Sequence, residues 1–97
     1  MVSFDEDNMQ KALVTLAIEQ ALIQFDNASY EIVINKLLTD FDCHLLDCYQ
    51  NPQYLKKTLV ELYGDSYKVL VELIKENLGE FLTRKGISKF FYGLTEK

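Results

Sequence analysis

Helix-breaking residues are scarce in this chain of 97 residues, and that scarcity constrains its fold more than any other feature. The chain contains a single proline, Pro52, and four glycines. Because these two residue types most disfavour a helix interior, long stretches are left free to be helical. Apolar residues recur in those stretches at intervals of three and four, as on the buried face of a helix. The pattern predicts an all-α protein, a bundle of four principal helices with a short C-terminal extra helix or arm.

The first predicted helix runs to about Phe25 and carries two apolar stripes. Ser3 and Glu6 match a capping box at its start. The first stripe consists of Val14, Ala17, Ile18, Ala21, Leu22 and Phe25, and the second consists of Leu13, Leu16 and Ile23. Two apolar stripes are more than a helix requires when it packs against the core through a single face. The helix is therefore either central in the fold or also buried in an oligomer, and we expect a homodimer.

Turn and capping residues mark off three more helices. The second spans about Tyr30 to Phe41, after a break at residues 26–29. The third begins with a capping Asn51 and with Pro52 in its first turn, and it stops at Gly64. The fourth carries an apolar stripe at helical spacing, which consists of Leu70, Leu73, Ile74, Leu78 and Phe81.

Charge is distributed unevenly along the chain. Residues 1–83 carry 14 acids and 6 bases, which gives −8, whereas residues 84–97 carry 4 bases and 1 acid, which gives +3. We interpret residues 1–83 as the helical domain and residues 84–97 as a basic, aromatic tail packed on the body or on a partner. An acidic body repels phosphate backbones, so direct nucleic-acid binding by the body is not expected.

The sequence shows neither an export signal nor a membrane anchor. The first residues lack the basic and apolar regions of a signal peptide. No apolar run approaches the roughly 18 residues that span a bilayer. Two cysteines are too few for a disulfide framework. We therefore expect a cytoplasmic protein that does not bind membranes.

Cys43, His44 and Cys48 form the one cluster of side chains with versatile chemistry, in a segment without clear periodicity. Thiolates and imidazole bind zinc, but a closed zinc site usually has four ligands and no second ligand pair is present. A sensor of a metal or small ligand built on these three residues is the alternative function. His44 and Cys48 lack an orienting group and an oxyanion donor, so we expect neither enzyme activity nor a cofactor.

A short motif surrounds the second of these cysteines. It reads Asp-Cys-Tyr-x-x-Pro-x-x-Leu from Asp47 to Leu55, and Leu-Tyr-Gly follows at residues 62–64. Its corner residues are Asp47, Cys48, Tyr49, Pro52 and Gly64. Over roughly residues 10–80 the chain resembles the Nitrosopumilus output domain family, small helical domains of ammonia-oxidising archaea. The resemblance implies an output role in signal transduction or transcriptional control, and it supplies no catalytic or ligand residues.

These observations predict a non-catalytic regulatory module that acts by protein interaction. We expect it to associate with itself, and also with a signalling protein, through an apolar groove or helix face. The expected contact residues are exposed side chains of the first helix and the tail, namely Leu13, Leu16, Ile23, Phe90 and Phe91.

Overall fold

The computed structural model describes the backbone of residues 6–96 and the side chains of residues 7–96, and it contains no β-strand in that range. Its α-helices are α1 (Glu6–Phe25), α2 (Ser29–Phe41), α3 (Pro52–Tyr63), α4 (Tyr67–Leu78) and α5 (Lys85–Thr95). Short 3-10 helices lie at Leu45–Tyr49, Gly64–Ser66 and Gly79–Thr83. The predicted all-α class is confirmed. The expected capping residue Ser3 lies outside the described residues.

Helix α1 is central in the fold. It packs most extensively against α4 and also contacts α2, α5 and the first 3-10 helix. Its first apolar stripe is buried, apart from the half-buried Phe25, whose ring meets Tyr63 edge-on at 5.2 Å between centroids. Burial of each large apolar side chain stabilises the fold by about 1.5–3 kcal/mol. Of the two alternatives that the sequence leaves open for this helix, the structure shows the central position.

The break between α1 and α2 lies where the sequence predicts it. The side chain of Asp26 accepts a hydrogen bond from the backbone N–H of Ala28 at 3.1 Å, and its carbonyl accepts one from Ser29 at 2.8 Å. Asp26 therefore forms this turn. At the other end of α2, Asp42 takes a left-handed conformation with φ of 52°, and its N–H returns to the carbonyl of Leu38 at 3.0 Å.

Helix α3 begins at Pro52, as predicted, but Asn51 does not cap it with its side chain. The Asn51 amide donates instead to the carbonyl of Asp47 at 3.2 Å and so secures the preceding 3-10 helix. Gly64 ends α3 as predicted, with φ of 56°. Gly79, with φ of 54°, ends α4 before the expected last residue of its stripe, so Phe81 lies in a 3-10 helix. Positive φ values of this kind are readily adopted by glycine.

The basic tail folds as α5, a helix nearly as long as α3 and α4. Its residues Ile87, Phe90 and Leu94 are buried in the same core as α1, and the Tyr67 hydroxyl donates to the carbonyl of Leu94. The spacing of three and four residues places these side chains on one face of the helix. The expectation that Phe90 is an exposed contact residue is therefore wrong, since only 1% of its surface is accessible.

Candidate functional site

The outward surface of α1 carries no exposed charge between Asn8 and Gln24. We call this surface the α1 outer face, and its exposed side chains are Asn8, Met9, Ala12, Leu16, Gln20, Ile23 and Gln24. The charged residues of this stretch, Lys11 and Glu19, are half-buried. Each of the other four α-helices exposes at least two charged side chains. An uncharged face of about 25 Å is therefore a distinctive feature of a chain in which 26% of residues are charged.

A shallow apolar groove adjoins the α1 outer face. Its volume is about 180 Å³, and it is lined by Leu13, Leu16, Ala17, Gln20, Asn77, Leu78 and Phe81. The side chain of Asn77 donates hydrogen bonds to the Gln24 side chain at 3.1 Å and to the carbonyl of Leu73 at 2.8 Å. These bonds fix the end of α4 against α1, so the groove has walls from two helices and the following 3-10 helix.

The predicted contact residues separate into two places. Leu16 is 51% exposed and Ile23 is exposed on the α1 outer face, while Leu13 is half-buried in the groove. Phe90 is buried and Phe91 is half-buried on α5, and neither lines the groove. The structure therefore brings together the predicted residues of the first helix but not those of the tail.

Phe81 was not predicted to be a surface residue. The apolar stripe of the fourth predicted helix continues through this position, which predicted its burial. Gly79 ends the helix two residues earlier, which turns Phe81 outward until it is 38% exposed beside the groove. Gly79 was the sequence signal for this change in the path of the chain, because a glycine just past a helix commonly ends that helix.

A larger and more polar groove of about 1,100 Å³ lies among α2, α3 and α5. Its charged lining residues have both signs and include Asp40, Lys56, Lys57, Glu61 and Glu96. Next to it, Lys36 pairs with Asp40 at 2.9 Å and with Glu61 at 3.3 Å, and these carboxylates raise the pKa of its ammonium group. Charges of opposite sign largely neutralise one another here, so this groove favours no one ligand charge.

The Cys43, His44 and Cys48 cluster is held together by a backbone carbonyl. The thiols of Cys43 and Cys48 lie 3.3 and 3.9 Å from the carbonyl oxygen of His44. The His44 ring is exposed, whereas both cysteines are free and buried. Among residues 7–96, no three side chains of the metal-ligating types converge closely enough to hold an ion. In this part of the chain, the metal form of the sensor alternative therefore has no set of three converging ligands.

Both thiols are held in the form that reacts least. Burial raises the pKa of the Cys43 thiol, and deeper burial raises that of Cys48 much further. The thiolate is the nucleophile and the metal ligand, so a raised pKa lowers reactivity at neutral pH. Cys48 behaves here as a small apolar core side chain.

Alkaline pH is expected to destabilise the fold through Cys48. Its pKa is raised above the ordinary value of 9.0, so the unfolded state releases the thiol proton at lower pH than the folded state. The stabilisation is complete below pH 9 and is lost above it, by about 1.4 kcal/mol per pH unit at most. Urea midpoints should therefore fall more steeply between pH 8 and about pH 10.5 in the wild type than in Cys48→Ala. Equal slopes would contradict this assignment.

The remaining motif residues connect the corner to distant helices. The Tyr49 hydroxyl lies 3.2 Å from a carboxylate oxygen of Asp7 and 3.3 Å from the amide oxygen of Gln10, both on α1. Pro52 packs against Gly93 of α5 so closely that a Cβ on the glycine would stand 2.5 Å from the proline Cγ. These motif residues therefore hold α1 and α5 against the corner before α3, which is a structural role.

Comparisons with protein-family models, with curated proteins and with solved structures gave no match for this chain. In the part that the structure describes, no helix combines the length and the apolar character needed to cross a bilayer. The α1 outer face and its adjoining groove are the features from which we infer the function.

Proposed function

We propose that this chain is a non-catalytic regulatory module that acts by protein interaction and pairs with itself. The observation that carries the proposal is the uncharged α1 outer face, on which Leu16 is 51% exposed and Met9 and Ile23 are also exposed. Isolated exposed apolar residues are ordinary, but a continuous apolar patch usually marks a contact surface. The groove beside Leu16 extends that patch to Phe81.

The chemistry of the face favours a protein partner. Nucleic acids and anionic membranes are bound through exposed lysines and arginines. The α1 outer face exposes none between Asn8 and Gln24. A partner face that is itself uncharged and apolar suits it best, and a second copy of this chain supplies one.

The cellular role that we propose follows the resemblance to the archaeal output domains. In that role the helices form a bundle in a cytoplasmic protein, and pairing contributes to an output in signal transduction or transcriptional control. A signalling protein is then a second partner of the same dimer. The Asp47–Gly64 motif supports this proposal through its likeness to the family pattern.

Leu16→Glu tests the proposed pairing. Leu16 lies at the centre of the face, so two copies would bury two glutamates against each other, which we expect to weaken self-association about 100-fold. Light scattering over about 1–500 µM measures the mass, and the wild type should pass from monomer to dimer in this range. The substitution is at an exposed position, so its unfolding free energy should stay within about 0.5 kcal/mol of the wild type.

Val69→Glu is the matched control for this experiment. Val69 is also 51% exposed, but it lies on α4 and does not line the groove. The Val69→Glu variant should dimerise like the wild type. A wild type that stays monomeric throughout, or two glutamate variants that dimerise equally well, would refute pairing through this face.

A further inference from the structure

We propose that two copies pair with their α1 helices antiparallel, and that the twofold axis passes beside Leu16. This inference rests on the proposed self-association and specifies its geometry. It concerns the α1 outer face alone, and the occupant to which it commits is a second copy of this chain.

The spacing of the exposed apolar residues supports direct pairing of two helices. Met9, Leu16 and Ile23 are each seven residues apart, so they lie almost in line along the helix. Leu13 and Gln20 fall between them and complete alternating steps of four and three residues. This is the spacing with which side chains of two helices interlock in a coiled coil, in which a single polar residue in the seam is common.

The same pattern is symmetric about its centre. Met9 precedes Leu16 by seven residues and Ile23 follows it by seven, so a reversed copy places each Met9 beside the Ile23 of the other chain. Ala12 and Gln20 lie four residues to either side of Leu16, and reversal sets the small side chain beside the long one. The face is therefore complementary to its own reverse, which is what a twofold interface requires.

Electrostatics favour the reversed direction over the parallel one. The chain is acidic at the start of α1, where Asp5, Glu6 and Asp7 follow one another, and one acid, Asp26, lies beyond its end. A parallel pair would bring the acidic starts of the two α1 helices together. An antiparallel pair separates these starts by roughly the length of the helix and also aligns the helix dipoles favourably.

The size of the face fits weak pairing of two copies. A strip about 25 Å long and 10 Å wide on each copy amounts to about 500 Å² over the two copies. That area lies below the standard size of specific interfaces, so dissociation at high micromolar concentration is expected. The absence of exposed charge on the strip removes local repulsion between copies of a chain with a net charge of −5.

Charge placement at the two outer positions of the strip tests the direction. In an antiparallel pair, Met9→Lys/Ile23→Glu sets opposite charges side by side twice, whereas in a parallel pair it sets like charges together. Met9→Lys/Ile23→Lys sets like charges together in both directions. The two new charges within one chain are about 20 Å apart, beyond the screening length at physiological salt.

We expect the Met9→Lys/Ile23→Glu variant to dimerise about tenfold more tightly than Met9→Lys/Ile23→Lys. Sedimentation equilibrium at low and physiological salt gives both dissociation constants, and circular dichroism checks that each variant is folded. An equimolar mixture of Met9→Lys/Ile23→Lys with Met9→Glu/Ile23→Glu should associate in either direction, so it reports on the face independently of direction.

The outcomes separate this inference from the proposed function. If the mixture associates but Met9→Lys/Ile23→Glu alone dimerises no better than the double lysine variant, the antiparallel arrangement is wrong and pairing through the face stands. A mixture that does not associate while the wild type dimerises overturns both, because the contact then lies elsewhere. A wild type that stays monomeric also overturns both.

Discussion

Replacing Phe90 with alanine is expected to lower the free energy of unfolding by about 3–5 kcal/mol. Only 1% of the Phe90 surface is accessible, and its ring lies in the core to which α1 also contributes. Removing it exposes its neighbours to a cavity that the surrounding helices fill only in part. A domain of this size has about 5–15 kcal/mol of stability in total, so the variant should be close to its unfolding limit.

Urea unfolding followed by circular dichroism measures this loss. Tyr92→Ala is the matched control, since Tyr92 is an aromatic residue two positions along α5 and 65% exposed. It should change the unfolding free energy by less than about 0.5 kcal/mol. If Phe90→Ala were as stable as Tyr92→Ala, α5 would not be part of the core.

The second large effect is expected at Leu22, which is fully buried on the inner side of α1. Leu22→Ala should cost about 2–5 kcal/mol of unfolding free energy, because it removes core contacts with little room for collapse. The neighbouring Ile23 is 38% exposed on the α1 outer face. Ile23→Ala should therefore weaken self-association while leaving the unfolding of the monomer nearly unchanged.

Chemical unfolding at low micromolar concentration, combined with light scattering at high concentration, separates the two effects. The comparison of these two neighbouring residues tests whether α1 packs into the core through one apolar stripe and contacts a second copy through the other. Equal losses of monomer stability in Leu22→Ala and Ile23→Ala would show that both sides of α1 belong to the core.

Most helix boundaries were predictable because each depends on residues a few positions apart. The break after Phe25, the start of α3 at Pro52 and its end at Gly64 all follow from the local preferences of turn and capping residues. The length of α5 was not predictable in this way. Gly86 and Gly93 lie inside it, and a glycine weakens a helix locally.

Tertiary packing explains why glycines occupy those two positions. A Cβ on Gly86 would stand 2.0 Å from the Tyr49 hydroxyl, and one on Gly93 would stand 2.5 Å from the Pro52 Cγ. Both glycines permit close approach between α5 and the corner that precedes α3. A glycine lowers helix propensity through its local backbone alone. The close packing that it permits here depends on residues some 40 positions away in the sequence. Composition alone therefore could not predict this packing.

The candidate site was predictable to the extent that it depends on one helix. The second stripe of α1 gave Leu16 and Ile23 from spacing alone, and both are exposed. The groove needed Phe81, whose exposure depends on where α4 ends. Phe90 was wrongly expected at the surface because a run of basic and aromatic residues was interpreted by composition, although its spacing from Ile87 and Leu94 already indicated an inner face.

The burial of Leu94 also affects when this chain can fold during synthesis. Helix α1 is made before the other described helices, yet its buried stripe packs against α4 and α5, which are made after α2 and α3. Until residue 94 has left the ribosome, the apolar side of α1 has no complete set of partners. We therefore expect the nascent chain to stay loosely structured until α4 and α5 have left the ribosome, and to complete its core only when these distant segments meet.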